Sequence, residues 1–523
     1  MRTGQGAIAL RIFHGEGHVT PPMTVNHTTT TPGTERRYRW ATRASLLAIL
    51  LLGAYLRFLS LTTWDEPSSR LHPDERFFTD LASMLQVPSS FDEYLDSARN
   101  PLNPRNYTKN NWYVYGLLPQ TLTQYTAVML TPQSALPTCV KRPEYTDPTV
   151  KIGQPCQDTS DAEYATKIEN PDRAVPKLTL LQPLLNLDGR DLTGYYEIFT
   201  VGRTWSALFD LGSVLLVFLI GRRLYGRRAG LLAALLYACA VLPIQLAHFF
   251  TVDAMTGFFV LAAVYWAVRC AQNGGLLSFG MLGLSIGAAM ACRVTLATLG
   301  LLGVLAVAAR LISSLREVRA EQPTSGAPRR PFTLLLMLAL AGGLALLTFR
   351  LLQPDAFRGT SFFDIRPDER FIENIARISG YVSGEADSPP QQQWAGRVPY
   401  LFPLQNMVLW GLGLPLGLAA LAAWGVAGWQ LLRRRNLVHL IPWAWITFYF
   451  AWQGGQFVTT MRYYSSLYGL LCVLAAWLLV QVVGIGVRRS VVVRRSVGVR
   501  RGVGVRRSVG VRRGFGPTNR APG

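Results

Sequence analysis

Residues 204–268 read TWSALFDLGSVLLVFLIGRRLYGRRAGLLAALLYACAVLPIQLAHFFTVDAMTGFFVLAAVYWAV. Three apolar stretches, 204–221, 229–249 and 252–268, are separated by a basic connection and by a very short turn that leads into Asp253. Because about 20 apolar residues cross the hydrocarbon core of a bilayer as a helix, this segment predicts three consecutive membrane spans.

The same pattern continues through most of the chain. Of its 523 residues, 50% are apolar and only 16% are charged, against roughly 25% charged in an average soluble domain. This composition excludes a soluble enzyme and predicts an all-α polytopic membrane protein, a bundle of about ten transmembrane helices. The spans are predicted at 42–62, 204–221, 229–249, 252–268, 277–292, 294–313, 333–349, 402–431, 438–452 and 463–485.

The distribution of charge predicts the orientation in the membrane. The net charge is +21, yet 25 of the 31 acidic residues lie in two long segments, 65–203 and 350–401, whereas the short connections carry mainly arginine. This is the positive-inside pattern of membrane proteins, and it argues against a nucleic-acid partner. We therefore expect a cell-membrane protein with cytoplasmic N- and C-termini and with both long segments as extracytoplasmic loops.

The two ends of the chain differ from the body in composition. Residues 1–41 are mostly polar and are predicted to form a disordered tail, with Met23 as an alternative start. Residues 42–485 form the predicted membrane body. Residues 486–523 contain a six-residue repeat of the kind GVRRSV, which predicts a basic cytoplasmic tail that lies on anionic lipid.

A first acidic motif, His-Pro-Asp-Glu-Arg-Phe-Phe, stands at 72–78, just after the first span. Pro73 suits the first position of a helix, with Asp74 and Glu75 in its first turn. The apolar residues that follow predict a short helix lying in the membrane interface. An ionised Asp74 there could take a proton from a hydroxyl or hold a metal ion; the alternative is that both acids only cap the helix.

A second acid stands out in the body of the protein. Outside the long loops and the N-terminal tail, the chain has four acids: Asp210, Asp253, Glu317 and Glu321. The two glutamates fall in a cytoplasmic connection, and Asp210 is expected to pair with Arg203. Asp253 follows a tight turn at the outer end of two spans, at the membrane level of Asp74. An isolated acid at that position is a functional candidate.

These motifs resemble those of a known family. The HPDERF stretch and the HFFTVD turn at 248–253 are similar to the first-loop and second-loop motifs of the GT-C membrane glycosyltransferases. The likeness is to the protein O-mannosyltransferase and aminoarabinose-transferase group, called family 39. Gln-Pro-Asp-Ala-Phe at 353–357 and Arg-Tyr-Tyr at 462–464 resemble further pieces of these chains. The first loop, of about 139 residues on these boundaries, is longer than expected for this group.

The resemblance implies transfer of a sugar from a polyprenyl-phosphate donor to a hydroxyl of an acceptor protein, lipid or glycan on the outer face. It implies a single inverting displacement. Asp74 is predicted as the base, with Glu75 beside it in the catalytic pair. Asp253 would orient the acceptor or share a divalent cation with Asp74; the cofactor stays open, since no ligand cluster has a specific spacing.

Further residues are predicted to bind substrate. Arg293, Arg350 and Arg462 lie at outer span ends and suit the donor phosphate, although arginines at helix ends also snorkel to the interface. The histidines of the two motifs are expected to be hydrogen-bonding neighbours of the acids, and the second loop offers sugar-contacting residue types. The predicted binding set is His72, His248, Asp253, Arg293, Arg350, Gln393, Trp394, Arg462 and Tyr463.

Two further predictions complete the sequence-based hypothesis. Cys139 and Cys156, 17 residues apart in the first outer loop, are expected to form a disulfide in an oxidising compartment, the alternative being two unpaired thiols. A different class of function, a secondary transporter of a polar or anionic substrate, also places charges at helix ends. Transporters, however, usually show internal repeats and polar residues at the membrane midplane, and this sequence shows no such repeat.

Overall fold

The computed structural model describes residues 32–65, 71–107, 113, 115–141, 156, 167–319, 331–386 and 389–502. The chain divides into two units, residues 1–47 and 48–523, and the candidate site lies within the second. The described residues are mostly helical. Their one sheet is an antiparallel pair, β1 (Cys139–Lys141) and β2 (Lys167–Glu169), with Cys139 opposite Glu169. The all-α architecture predicted from the sequence is therefore confirmed, apart from this short pair.

The helices follow the apolar stretches of the sequence. In chain order they are α1 (Pro32–Phe58), α2 (Pro73–Met84), α3 (Phe91–Leu95), α4 (Leu118–Leu130), α5 (Gln182–Leu185), α6 (Ile198–Tyr225), α7 (Arg227–Ala238), α8 (Val241–Ala247), α9 (Asp253–Asn273), α10 (Leu276–Met290), α11 (Gly300–Arg319), α12 (Pro331–Leu352), α13 (Glu369–Ser383), α14 (Pro389–Gln392), α15 (Leu401–Asn406), α16 (Leu414–Arg434), α17 (Leu440–Gly454) and α18 (Ser465–Gly502). Each predicted span overlaps at least one of these helices.

Seven helical stretches within the described residues are long and apolar enough to cross a membrane. They are Glu35–Phe58, Ile198–Tyr225, Asp253–Asn273, Val294–Arg316, Pro331–Leu352, Leu414–Arg434 and Met461–Gly484. The pair α7 and α8, bent by 58°, would make an eighth span. The predicted count of about ten is not confirmed, because α10 and α17 have only 15 residues each.

Four of these stretches meet the long loops at one face. Ion pairs or hydrogen bonds join residues of the first or second long loop to four places: the starts of α6 and α9, the end of α12, and the short helix Met461–Tyr464 before α18. We call this side of the molecule the loop face. Since four span ends meet there, the long loops cover one end of the bundle.

The first and last helices are longer than the predicted spans. The helix α1 starts at Pro32 rather than near residue 42, because a proline and Glu35 suit a first turn and Glu35 pairs with Arg39 one turn on (2.6 Å). At the other end α18 continues into the basic repeat as far as Gly502. Residues 488–501 contain no proline, and arginine is a good helix former, so a six-residue repeat does not by itself end the helix.

The predicted pairing of Asp210 is wrong. Asp210 binds the Nε of Arg57 (2.6 Å), and the Tyr237 hydroxyl donates to its second oxygen (2.6 Å). Arg203 lies seven residues before Asp210 on α6, which is about two turns or 10 Å along the helix, so the two side chains reach different neighbours. The buried Arg57–Asp210 pair joins α1 to α6 inside the bundle.

Candidate active site

The site begins at the first turn of α2. His72 caps the helix, its Nδ1 accepting the backbone N–H of Asp74 (3.2 Å), and Pro73 takes the first helical position as predicted. Burial and the nearby charge of Arg462 lower the pKa of His72, which keeps the ring neutral at pH 7 and its Nδ1 able to accept. Asp74 and Glu75, adjacent in sequence, point to different surroundings.

Glu75 is fully buried in a network of hydrogen bonds. Its two oxygens accept from Nε and Nη2 of Arg203 on α6 (2.6 and 2.7 Å), and one of them also accepts the backbone N–H of Phe250 (2.8 Å). Arg203 in turn binds both oxygens of Asp65 (2.8 Å each). Glu75 thus joins α2 to α6 and to the turn that leads into α9.

The apolar side of α2 packs on protein and not on lipid. Phe78 contacts residues of α4, α6 and the turn before α9, among them Phe250 (5.5 Å between ring centroids). Leu81 and Leu85 pack against Leu102, Tyr107, Tyr113 and Leu117 of the first loop. The first loop therefore folds over α2 and covers its apolar side.

Asp253 is the first residue of α9 and is fully buried. One oxygen accepts a hydrogen bond from Arg293 Nη2 (3.4 Å), and the other accepts from Thr251 (3.3 Å) and lies 4.0 Å from Arg462 Nη1. Arg293 precedes the short helix before α11, and Arg462 lies in the one before α18. Three predicted residues from distant parts of the chain therefore meet here.

Asp74 lies beside this group, half-buried. Arg462 Nη1 and the hydroxyl of Tyr115 both donate to its Oδ2. Burial by itself would raise the pKa of Asp74, but the charge of Arg462 and these two hydrogen bonds outweigh it and lower the pKa below the usual value of 3.8. Burial and the carboxylate raise the pKa of Tyr115, which stays protonated as a donor. Asp74 is thus ionised at neutral pH.

A cavity of about 290 Å³ opens next to this cluster. Arg293, Tyr463 and Tyr115 line one wall, with the Arg293 guanidinium 4.9 Å from the centre of the Tyr463 ring. The opposite wall is the apolar side of α13, including Phe371 and Ile378. We call this space the loop-face cavity. Its size approaches the lower end of the range for small-molecule sites, and it combines cationic and aromatic walls.

Contacts between the two long loops close this cavity. Arg105 of the first loop pairs with Asp355 of the second, both buried. Gln353 donates to Asp355 (2.8 Å) and accepts the backbone N–H of Leu117. Gly116 donates to the carbonyl of Cys292 (3.0 Å), and a side chain at Gly116 would collide with the carbonyl of Ala291. The QPDAF motif therefore fixes the second loop over the first.

A second cavity of about 350 Å³ lies among the spans, and we call it the span groove. It is bounded by α16, α17 and α18 and lined by apolar groups such as Val408, Ala420 and Leu471. Tyr400 lies at its lining and bonds through its N–H to the carbonyl of Gly454 (2.9 Å), at the end of α17. The other side of α17, with Tyr449 and Gln453, lines the loop-face cavity.

The remaining predicted residues lie away from the cluster. The ring of His248 bonds to the carbonyls of Ile244 (2.8 Å) and Leu59 (3.2 Å). Buried Arg350 donates to carbonyls of the second loop, at Pro354, Gly359 and Ser361. Gln393 is exposed, and the ring of Trp394 lies 6.3 Å from that of Phe402. None of these four residues lines the loop-face cavity.

Sequence reasoning missed three residues of the site. Tyr115 binds Asp74, Arg105 lines the cavity and pairs with Asp355, and Tyr449 lines the cavity and donates to the carbonyl of Tyr463 (3.0 Å). The run Trp112–Gly116, rich in aromatics, is the one sequence signal for Tyr115. The helix α4 begins only at Leu118 and packs on α2 and α6.

Asp74 and Asp253, the two acids that could share a divalent cation, both lie close to Arg462. No group of three or more His, Cys, Asp or Glu side chains that could hold a metal ion occurs among the described residues. The guanidinium of Arg462 already lies against Asp74 and 4.0 Å from Asp253, and would share that space with any cation bound by both carboxylates. The charge of the two acids is balanced here by Arg293 and Arg462.

The first loop contains the predicted disulfide. Cys139 in β1 is bonded to Cys156, with an S–S distance of 2.06 Å. Most of the chain between them, residues 142–155, lies outside the described residues.

Comparisons with known proteins match part of the chain to one family. A family model described as dolichyl-phosphate-mannose-protein mannosyltransferase matches residues 196–322, about a quarter of the chain. The matched stretch contains Arg203, Asp253 and Arg293, whereas Asp74 and Arg462 lie outside it. The predicted resemblance to this family is thereby confirmed for these residues. None of the curated proteins matches the chain.

Among solved structures, the chain is similar to the oligosaccharyltransferase of Archaeoglobus fulgidus. The apo form has a TM-score of 0.43 and 14% identity, covering 90% of this chain and 53% of that one. The archaeal oligosaccharyltransferase AglB of the same organism, in complex with an inhibitory peptide and a dolichol-phosphate, has a TM-score of 0.46 and 14% identity, with the same coverage. The chain spans about half the length of these structures.

Proposed function

We propose that this protein is a membrane glycosyltransferase that transfers a sugar from a polyprenyl-phosphate donor to an acceptor hydroxyl at the loop face, which is the extracytoplasmic face. One observation carries the proposal: Arg462 lies between the carboxylates of Asp74 and Asp253, and Arg293, which binds Asp253, lines the cavity where span ends meet both loops. A base, phosphate-binding cations and a sugar-sized space are thus adjacent at the membrane surface.

In the proposed reaction, the acceptor oxygen bonds to the anomeric carbon as the bond from that carbon to the phosphate oxygen breaks. The acceptor proton passes to Asp74, and polyprenyl phosphate leaves with one more negative charge than it had in the donor. Arg293 and Arg462 stabilise this developing charge, since guanidinium groups bind phosphate oxygens in a bidentate fork. A single displacement of this kind inverts the anomeric centre.

Arg462 would have two roles in this scheme. Without donor it holds the pKa of Asp74 low, so Asp74 is a weak base. A donor phosphate competes for the same guanidinium, and when Arg462 turns to the phosphate, Asp74 loses its strongest charged partner and becomes more basic. Donor binding would thereby activate the base, while Tyr115 keeps the carboxylate in place.

The lipid tail of the donor needs an apolar path, and the span groove supplies one. Its lining is apolar and its volume of about 350 Å³ accommodates only part of a long isoprenoid chain. The groove and the loop-face cavity lie on opposite sides of α17, near the end of that helix at Gly454. We place the tail in the groove, with the phosphate passing the end of α17 towards Arg293 and Arg462.

The other predicted residues take supporting roles in this proposal. Glu75 positions the turn that carries Asp253, and His72 holds the first turn of α2. His248 fixes the same turn to the end of α1, and Arg350 fixes the second loop. Gln393 and Trp394, on the solvent side of that loop, would contact an incoming acceptor.

A transporter is not favoured by any observation within the described residues. The charged cluster deepest among the spans, Arg57 with Asp210, is buried, paired and hydrogen-bonded to Tyr237. The loop-face cavity is lined in part by loop residues and lies at one face.

The test is a transfer assay with the purified protein in lipid nanodiscs. Radiolabelled polyprenyl-phosphate sugars are combined with candidate acceptor peptides, glycolipids and glycans, and labelled product is separated from donor. We expect one donor to be consumed by the wild type and not by Asp74→Asn. The matched control, Asp92→Asn, changes an exposed carboxylate of the same loop and should keep full turnover.

Turnover by Asp74→Asn at the wild-type rate would remove the base assignment. Transport of a labelled solute across proteoliposomes, in the absence of any transfer from any donor, would replace the proposed enzyme by the transporter.

A further inference from the structure

A run of leucines in the first loop exposes apolar side chains that no other residue described in the structure covers. Residues 178–187, LTLLQPLLNL, which we call the leucine segment, include the short helix α5. Leu180 is 91% exposed, Leu184 70% and Leu187 83%. Leu181 and Leu185 are also exposed. Several large exposed apolar side chains within ten residues indicate an interaction surface, whereas apolar side chains that are exposed singly are common on any protein.

The leucine segment is nevertheless held firmly by its backbone. The N–H of Leu178 donates to the carbonyl of Met129 (2.9 Å), at the end of α4. The side chain of buried Asn186 donates to the carbonyls of Leu130 (3.2 Å) and Arg190 (2.8 Å). The two ends of the segment are thus fixed to the same helix end, and the leucines between them are directed away from the loop.

The end of α4 lies beside the first turns of the α6 span. The hydroxyl of Thr126 accepts from the indole N–H of Trp205 (3.0 Å), and the hydroxyl of Thr131 accepts the N–H of Leu192 (3.0 Å). Since α6 is a candidate span that begins at Ile198, these contacts bring the leucine segment to the level at which α6 enters the membrane. Leu208, one turn after Trp205 on α6, is likewise exposed.

The residues around the leucines have the chemistry of a membrane interface. Arg190, which is exposed, follows the segment, and Tyr196 is exposed just before α6. Basic side chains reach phosphate groups from such positions, and tyrosines concentrate at the level of the lipid headgroups. The acids Asp188 and Asp191 come only after the last leucine, and the latter accepts from Thr193 (2.7 Å).

We propose that the leucine segment inserts into the lipid leaflet at the loop face, with Leu180, Leu184 and Leu187 among the acyl chains. The occupant of this surface is the bilayer itself, because the surface lies at the end of a span and basic and aromatic groups border it. The segment would anchor the first loop, and with it α2 and α4, at a fixed depth over the site.

Spin labelling of the full chain in nanodiscs tests this depth. Single cysteines replace Leu180, Leu184 or Leu187 in a Cys239→Ser background, where the other free cysteines are buried. Each is labelled with a nitroxide, and collision rates with oxygen, which concentrates in lipid, and with a water-soluble nickel chelate are measured. The control label replaces Ala98, an exposed residue of the same loop.

Insertion predicts that oxygen collisions exceed nickel collisions several-fold at the three leucine positions and that the order reverses at Ala98. Nickel collisions at the leucine positions equal to those at Ala98 would overturn the proposal. So would protection from both reagents, which would mean that a protein partner or a second copy covers the leucines.

A second measurement uses the unmodified protein and so avoids any disturbance by the label. A phospholipid with a photoactivatable group in its acyl chain is incorporated into the nanodisc, and cross-linked peptides are identified by mass spectrometry. Peptides containing residues 178–187 should carry lipid, as those from α6 do. Lipid on α6 peptides without lipid on the leucine segment would contradict the insertion.

Discussion

The two neighbouring acids of α2 should respond in opposite ways to removal of their charge. Glu75→Gln changes a buried group with three hydrogen bonds, two from Arg203 and one from the N–H of Phe250. An amide keeps only one acceptor oxygen, so at least one buried donor loses its partner. Arg203 also keeps only Asp65 as a counter-charge.

The expected cost follows from the burial of both partners. Removal of one member of a buried ion pair typically destabilises a protein by about 3–5 kcal/mol, because the other charge stays buried without compensation. Part of this is offset by Asp65, so we expect about 3 kcal/mol for Glu75→Gln and a lowering of Tm by several degrees. Asp74 is only half-buried, so Asp74→Asn should lower Tm less than Glu75→Gln does, while transfer stops.

Thermal unfolding of both variants in nanodiscs, followed by intrinsic fluorescence, separates these roles, and turnover is measured on the same samples. The control is Glu373→Gln, which changes an exposed glutamate of α13. If Glu75→Gln keeps the wild-type Tm but loses all turnover, Glu75 takes part in the chemistry and its assignment as a structural residue fails. An unchanged Tm with full turnover would refute the inferred strength of the network.

Three further predictions concern the phosphate, the pH and the groove. Arg462→Gln should raise the KM for the donor by about 10–150-fold, since hydrogen bonds between charged groups contribute about 1.5–3 kcal/mol, while the acceptor KM stays constant in steady-state assays. The folded-state pKa of Asp74 lies below its unfolded value of 3.8, so the pair with Arg462 stabilises the fold at neutral pH. This stabilisation disappears as the pH falls through the folded pKa. In acid titrations, the Asp74→Asn variant should therefore lose less stability than the wild type over that pH range. Ala420→Trp should fill the span groove. The KM for a long-tailed donor should then rise, whereas the KM for a donor with a truncated tail should not, so the ratio of these two KM values is the measurement.

The positions of the spans could be predicted from the sequence because length and hydropathy alone decide whether a helix suits a bilayer. Their number could not, since α10 and α17 are apolar but too short to pass as spans. The convergence of Asp74, Asp253 and Arg462 was also predictable in outline. Each residue lies next to a predicted span end, and the charge pattern assigned those ends to one face.

Pairings between side chains were harder to predict from the sequence. Arg203 lies on the same helix as Asp210 and suggested a local pair, yet the partners are Glu75 and Asp65, more than 100 residues away. Arg105 and Asp355 likewise meet only because both loops fold over the same span ends. Such contacts depend on tertiary packing, and neither spacing nor residue type in a single sequence reveals them.

The most direct test of the central claim asks whether Asp74 acts as a base towards a donor held by the arginines. Asp74→Ala is given the labelled polyprenyl-phosphate sugar together with azide, a nucleophile that carries no proton to be removed, and the products are resolved by chromatography and NMR. We predict no transfer to the hydroxyl acceptor, recovery of donor turnover with azide, and a glycosyl azide of inverted anomeric configuration. Continued transfer to the hydroxyl acceptor, or donor binding without any azide product, would contradict the account.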